Sequence, residues 1–141
     1  MGDGRQREEM RKKRAHEKLA VWQRSRSLVT HLYQVTAKYP DTEQYGLISQ
    51  IRRAGVSVIA NIAEGAARGS DADYLRFIRI SRGSLSELET LLLVSKDLRY
   101  VDDEDFEPLA EACEAIGSLL EGLSRRLKTG RISEEDAAYD A

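Results

Sequence analysis

The sequence is poor in the residues that build catalytic and metal sites. It has one cysteine, two histidines and two prolines among 141 residues. A single cysteine excludes a disulfide within the chain, and Cys113, His16 and His31 do not have the spacing of a zinc site. No activated nucleophile, suitably placed histidine or phosphate-binding glycine loop is recognisable. We therefore predict that the protein is not an enzyme and has no metal or cofactor.

Long apolar runs are also missing. No stretch approaches the roughly 20 residues of a membrane span, and the N-terminus lacks the apolar core of a signal peptide. We therefore expect a cytoplasmic protein without a membrane partner. Aromatic residues are only 6% of the chain, and apolar residues nowhere alternate at the period of two that is typical of strands.

Helical periodicity is abundant instead. Apolar residues recur every three or four positions in segments at about 17–38, 43–67 and 71–98, and in a fourth segment that ends at about 128. Short links between these segments predict an all-α protein, an up-down-up-down antiparallel four-helix bundle over residues 17–128. The third segment is apolar around much of its circumference, so it is either central in the bundle or faces a second subunit.

Several residues predict where the helices begin and end. Asp41 or Thr42 is expected to cap the second helix, and Gly69 to end it in a left-handed conformation. Ser70 and Asp73 form a capping box for the third helix. Pro108 is expected in the first turn of the fourth helix, where its missing N–H is tolerated.

Charge divides the chain into two parts. Residues 1–82 hold 16 Lys and Arg against 9 Asp and Glu, whereas residues 83–141 hold 6 against 15. This asymmetry indicates either a polyanionic partner for the basic part or head-to-tail assembly of copies. We expect residues 1–16 to be a basic flexible arm and residues 129–141 to be an acidic flexible tail.

Residues 47–68 combine an apolar seam with a neighbouring polar stripe on one helix. The seam is Ile51, Gly55, Val58 and Ile62. Polar groups beside a core need partners, since a buried unpaired one costs about 1–3 kcal/mol. We predict a structural polar network that includes Gln50, Asn61, Glu64 and Glu87, in which a glutamate pairs with Arg53 or with another subunit. We also expect Gly55 and Gly83 to permit close helix packing.

Arginines are the candidate binding residues. Their planar guanidinium groups make bidentate contacts with phosphate, so a basic surface on the second and third helices would bind RNA or DNA. The alternative is a solvated face whose charges pair with nearby acids. The candidates for one such surface are Arg52, Arg53, Arg68, Arg76, Arg79 and Arg82. The sequence shows no aromatic–basic RNA-binding signature, so we expect recognition of the backbone with little readout of bases.

Several motifs occur in the order found in one known family. They are residues 19–23 (LAVWQ), 45–47 (YGL), 50–54 (QIRRA), 61–65 (NIAEG) and 83–90 (GSLSELET). Together they resemble bacterial four-helix-bundle proteins first noted as products of intervening sequences in 23S rRNA genes. The fold is also similar to the accessory variability determinant of diversity-generating retroelements. The resemblance covers roughly residues 17–128.

The resemblance implies a homopentameric barrel, no known enzymatic activity and a role in binding RNA or other nucleic acid. In the retroelement branch it implies a reverse transcriptase as a protein partner. Two functional hypotheses follow. The first is a homo-oligomeric bundle that binds the RNA or DNA backbone through basic surfaces, as an accessory factor. The second is a protein–protein scaffold or assembly module with no nucleic-acid role.

Overall fold

The computed structural model describes His16 and residues 19–130. It contains four α-helices, α1 (Ala20–Thr36), α2 (Leu47–Ala66), α3 (Asp71–Asp97) and α4 (Asp103–Thr129), with a 3₁₀ helix at Asp41–Glu43 before α2. Within the described residues there is no strand. Each helix packs against two neighbours, in the ring order α1, α2, α3, α4. The predicted all-α four-helix bundle is therefore confirmed.

The flexible arm and tail that we expected fall mostly outside this part of the chain. Of residues 1–16 only His16 is described, and of residues 129–141 only Thr129 and Gly130. Among the described residues, no helix is both long and apolar enough to cross a membrane.

The core forms where the apolar seams of the four helices meet. The α2 seam is buried along its length, with Ile51, Val58 and Ile62 completely enclosed. Buried residues of α3 recur at the same spacing from Tyr74 to Ser95. Full burial of one aliphatic side chain contributes about 1.5–3 kcal/mol, so these seams hold the helices together.

The start and end of α2 differ from our expectation. Neither Asp41 nor Thr42 caps the helix; Asp41 instead opens the 3₁₀ helix, and the N-cap of α2 is Gly46 without a side-chain hydrogen bond. Gly69 is not left-handed, since α2 already ends at Ala66 with Ala67 in a right-handed conformation. The 3₁₀ turn takes up the residues that would otherwise have formed a first helical turn.

The predicted cap of α3 is confirmed, because Ser70 Oγ accepts a hydrogen bond from the Asp73 backbone N–H at 3.2 Å. The expected start of α4 is wrong by about one turn. Asp102 caps that helix and accepts from the Asp105 N–H at 2.9 Å. Acidic residues in the first turn favour this start through the helix dipole, so Pro108 lies in the helix beyond its first turn, on an exposed position.

The two glycines behave differently. A Cβ at Gly55 would lie 2.6 Å from Leu32 Cδ1, which confirms that this residue permits close packing of α1 on α2. At Gly83 a Cβ would meet nothing within 4 Å. The expectation for Gly83 is therefore wrong, because it faces solvent.

Cys113 is a completely buried core residue of α4. Burial, followed by the negative charge of Glu89, raises the pKa of its thiol to about 12. The thiolate is the reactive form, so we expect Cys113 to resist Ellman's reagent at pH 8.5 in the folded protein. It should react completely in denaturant, and rapid labelling without denaturant would show that the core opens locally.

Candidate nucleic-acid interface

Helices α2 and α3 pack closely enough to present their arginines side by side. Gly65 makes this possible, since a Cβ there would lie 2.9 Å from Phe77 Cβ. Ser81 Oγ donates to the Val58 carbonyl at 2.8 Å across the same contact. These contacts place the C-terminal half of α2 beside the N-terminal half of α3.

Two of the candidate arginines meet over one aromatic ring. The guanidinium carbons of Arg68 and Arg76 lie 4.8 Å and 4.5 Å from the centroid of Phe77. Both are also paired with acids: Arg68 Nη2 is 2.6 Å from Glu64 Oε1, and Arg76 Nε is 3.8 Å from Asp73 Oδ1. These exposed ion pairs are weak, but they reduce the charge that each arginine offers to a ligand.

Arg79 and Arg82 continue along α3, exposed and without an ion-pair partner among the residues that the structure describes. The last turn of α4 lies at the same end of the bundle. A Cβ on Gly117 would be 3.5 Å from Leu85 Cδ2, and the two helices run in opposite directions. This register brings exposed Arg125 and Lys128 to the level of the first turns of α3.

We call this group the basic end, comprising Arg68, Arg76, Arg79, Arg82, Arg125 and Lys128. The last two are not among the candidates that the sequence indicated. Their spacing from the apolar seam does not reveal which neighbouring helix they approach. The feature that reveals them is the antiparallel pairing of α3 with α4, which brings the end of α4 level with the beginning of α3.

The remaining two candidates lie at the other end of α2. Arg52 is half-buried and braces α1: its Nε donates to Thr36 Oγ1 at 2.9 Å and its Nη2 donates to the Tyr33 carbonyl at 3.3 Å. Arg53 is exposed, and no acid pairs with it within the described part of the chain. A helix rises about 1.5 Å per residue, so Arg53 lies roughly 20 Å from Arg68. The six arginines therefore form two groups rather than the one surface we expected.

A groove joins Arg52 and Arg53 to two aromatic residues that sequence reasoning did not combine. It has a volume of about 460 Å³ and is lined by residues that include Tyr33 and Tyr45. We call it the tyrosine groove, defined by Tyr33, Tyr45, Arg52 and Arg53. Because Tyr33 is on α1 and the others are at or before α2, only the packing of α1 on α2 reveals it.

The polar network is built from fewer of its predicted members than expected. Asn61 Nδ2 donates to the carbonyl and hydroxyl oxygens of Ser57 at 2.8 and 3.1 Å, and Ser57 shares a hydrogen bond of 2.7 Å with Ser84. Glu64 pairs with Arg68 instead of Arg53, since residues four apart on a helix are neighbours. Gln50 and Glu87 are exposed.

An apolar stripe faces outward on α3. Ile80, Val94 and Leu98 are exposed, and half-buried Leu91 lies between them. Together with Ser84 and Glu87 these residues follow a 4-3-4-3-4 spacing, the spacing of a helix-packing seam. The first seam of α3 faces the core. The second one contacts α2 through Ser84, which bonds Ser57, whereas its side chains Ile80, Val94 and Leu98 face outward.

Acidic residues are concentrated elsewhere, on the outer face of α4. The exposed acids there include Glu104, Glu107, Glu111, Glu114 and Glu121. None of them forms an ion pair with a candidate arginine within the described residues. The separation of basic from acidic residues along the sequence is therefore also a separation in the fold, with the basic end on one surface and the acids of α4 on another.

Comparisons with known proteins agree with this fold. The family model described as 23S rRNA-intervening sequence protein matches residues 17–122. A crystal structure of a protein of unknown function from the S23 ribosomal protein family of Bacteroides thetaiotaomicron is 23% identical, with a TM-score of 0.68. The match covers 75% of this chain and 99% of that one. No curated protein matches. The chain belongs to the 23S rRNA-intervening sequence protein family.

Proposed function

We propose that this protein is a non-enzymatic, homo-oligomeric cytoplasmic bundle that binds the phosphate backbone of RNA or DNA. The observation that carries the proposal is that Arg53, Arg79 and Arg82 are exposed and unpaired within the described residues. A solvated surface with a purely structural role would favour neutralised arginines. Here, in the part of the chain that the structure describes, Glu64 and Asp73 pair only with Arg68 and Arg76, and the acids of α4 lie on a different face.

The physical basis of binding is counterion release. Each cation that neutralises a phosphate frees a condensed counterion, so affinity falls steeply with salt. One basic end gives only a few such contacts. A homo-oligomer repeats the patch, and linked weak sites gain affinity through effective concentration without any new contact.

The test is charge reversal of the unpaired arginines. We expect Arg79→Glu with Arg82→Glu to weaken binding to a structured RNA at least tenfold at low salt. The slope of log affinity against log salt should also fall in magnitude by about 0.7–0.9 for each phosphate that the protein no longer neutralises. Fluorescence anisotropy over a salt series measures both quantities, and circular dichroism verifies that helicity is kept.

A matched control carries the same change of charge away from the basic end. Arg24→Glu with Arg99→Glu alters two exposed arginines outside the candidate set and should leave the salt slope almost unchanged. Equal losses in the two variants would mean that only net charge matters. Binding that is absent at low salt, or independent of salt, would end the backbone-binding proposal.

A second candidate function, protein–protein assembly, is favoured by the apolar stripe on α3. We propose a second copy of the chain as its occupant, in the pentameric arrangement that the family resemblance implies. Glu87 is exposed and unpaired within the described residues, so it gives this stripe one negative charge that a basic side chain of a second copy can neutralise. A reverse transcriptase or another protein would then bind the assembled particle.

A further inference from the structure

We infer that the tyrosine groove binds an unpaired nucleobase together with its adjoining phosphate, which directs the protein to single-stranded segments. This inference rests on the proposed nucleic-acid function and names the part of the ligand that one site takes. It differs from the expectation drawn from the sequence, which was recognition of the backbone alone.

Tyr33 is a fixed wall of the groove. The guanidinium carbon of Arg52 lies 4.3 Å from the centroid of its ring. The same guanidinium donates to the Tyr33 carbonyl and to the Thr36 hydroxyl. These bonds hold Arg52 in place and leave the Tyr33 side chain 43% exposed. A wall that is ordered before binding costs little conformational entropy when a ligand arrives.

Tyr45 is the second wall, and it is 91% exposed. It immediately precedes Gly46, the N-cap of α2. The rings of Tyr33 and Tyr45 line the same groove without a ring contact between them within the described residues. An aromatic face left in water gains by stacking on another flat apolar surface, and every nucleobase offers one.

Arg53 supplies the cation for the phosphate. It lines the groove, is exposed and has no acidic partner among the described residues. The N-terminus of α2 does not serve this purpose, because Glu43 already lies there: a Cβ on Gly46 would be 2.7 Å from Glu43 Oε1. The phosphate is therefore held on the Arg53 side of the groove, away from that carboxylate.

The combination selects the strandedness of the ligand. In a duplex both faces of a base are stacked on its neighbours, so a tyrosine reaches it only after costly unstacking. In a single strand, loop or bulge the base is free to enter the groove. Binding of a duplex would depend on the basic end alone, whereas binding of a single strand would use both the basic end and the tyrosine groove.

The experiment compares Tyr45→Ala and Tyr45→Phe in the full chain. The probes are a single-stranded RNA containing 2-aminopurine and the duplex formed with its complement. Tyr45→Ala should weaken single-strand binding about tenfold, the loss typical of one base–aromatic stack, and should abolish quenching of the 2-aminopurine. Tyr45→Phe keeps the stacking face and should retain both, and duplex affinity should be the same for all three proteins.

Three other outcomes of this binding experiment would contradict the inference, and each has a different meaning. If Tyr45→Ala binds single strands as the parent does, the groove is not a base site, while salt-dependent binding by the basic end still stands. An equal loss on single strands and duplex would mean that Tyr45 acts through the fold of the bundle and not by stacking on a base. If the parent binds neither probe at low salt, the proposed function and this inference fail together.

Discussion

Val94→Glu combined with Leu98→Glu is expected to convert the proposed oligomer to monomers while its helicity is unchanged. Both side chains lie on the outward stripe of α3, 40% and 50% exposed within one chain. Their replacement therefore costs the isolated bundle little. If the stripes of two copies face each other, the substitutions place four carboxylates in the interface. If the stripe of one copy packs on another surface of its neighbour, they place two. In either case, burying an unpaired charge costs several kcal/mol.

Molar mass by light scattering after size exclusion measures the effect. Leu93→Glu is the matched control, because Leu93 is 55% exposed on the same helix but lies about 100° round it from Val94. We expect Leu93→Glu to keep the mass of the parent. A parent that is monomeric at micromolar concentration, or a Val94/Leu98 variant with unchanged mass, would contradict assembly through this stripe.

Gly65→Val is expected to destabilise the fold by about 3 kcal/mol, in the range seen when a packed interior is overfilled. A Cβ at this position would lie 2.9 Å from Phe77 Cβ and 3.2 Å from the Tyr74 carbonyl oxygen. Neither atom is the end of a flexible side chain, so relief requires α2 and α3 to move apart. That movement would also break the Ser57–Ser84 and Ser81–Val58 hydrogen bonds.

Urea unfolding followed by circular dichroism measures this loss of stability, at one protein concentration because the proposed assembly would make stability depend on concentration. Gly83→Val is the control. It introduces the same side chain into α3 at a position where a Cβ meets nothing within 4 Å. Valine has a somewhat better helix propensity than glycine, so the control should be neutral or slightly stabilising. Similar destabilisation at both positions would contradict the packing explanation, because Gly83 offers no close contact for the new side chain.

Local features of the sequence predicted the local structure well. The Ser70 cap and the buried seam of α2 depend on residues three or four apart, and both were found as expected. The reciprocal half of the capping box was not found, since the Asp73 side chain pairs with Arg76. The errors at Gly69 and Pro108 are also local, and the one at Pro108 arose where two signals competed. At Pro108 the capping aspartate and the acidic first turn outweighed the cost of proline inside the helix.

Features that join different helices were not predictable in the same way. The spacing of α2 shows that Gly55 and Gly65 are on a buried face, but not which atoms each of them meets. Gly55 meets the flexible end of Leu32, whereas Gly65 meets the Tyr74 carbonyl and the Cβ of Phe77, which cannot move aside easily. Likewise, Arg52 has the same character in the sequence as Arg53. Because α1 packs on α2, Arg52 forms hydrogen bonds with Tyr33 and Thr36 of α1, whereas Arg53 remains exposed and able to contact a ligand.

The amino-acid sequence alone determined the all-α class, the four helices, the family and the separation of positive from negative charge along the chain, because each depends on residue type and short-range periodicity. Tertiary structure decided which charges share a surface. The packing of the helices places Arg52 and Arg53 near one end of the bundle and the other four candidate arginines near the opposite end. It also places Tyr33 and Tyr45 along the same groove. Those distances are set by the register between helices, which no single helix encodes.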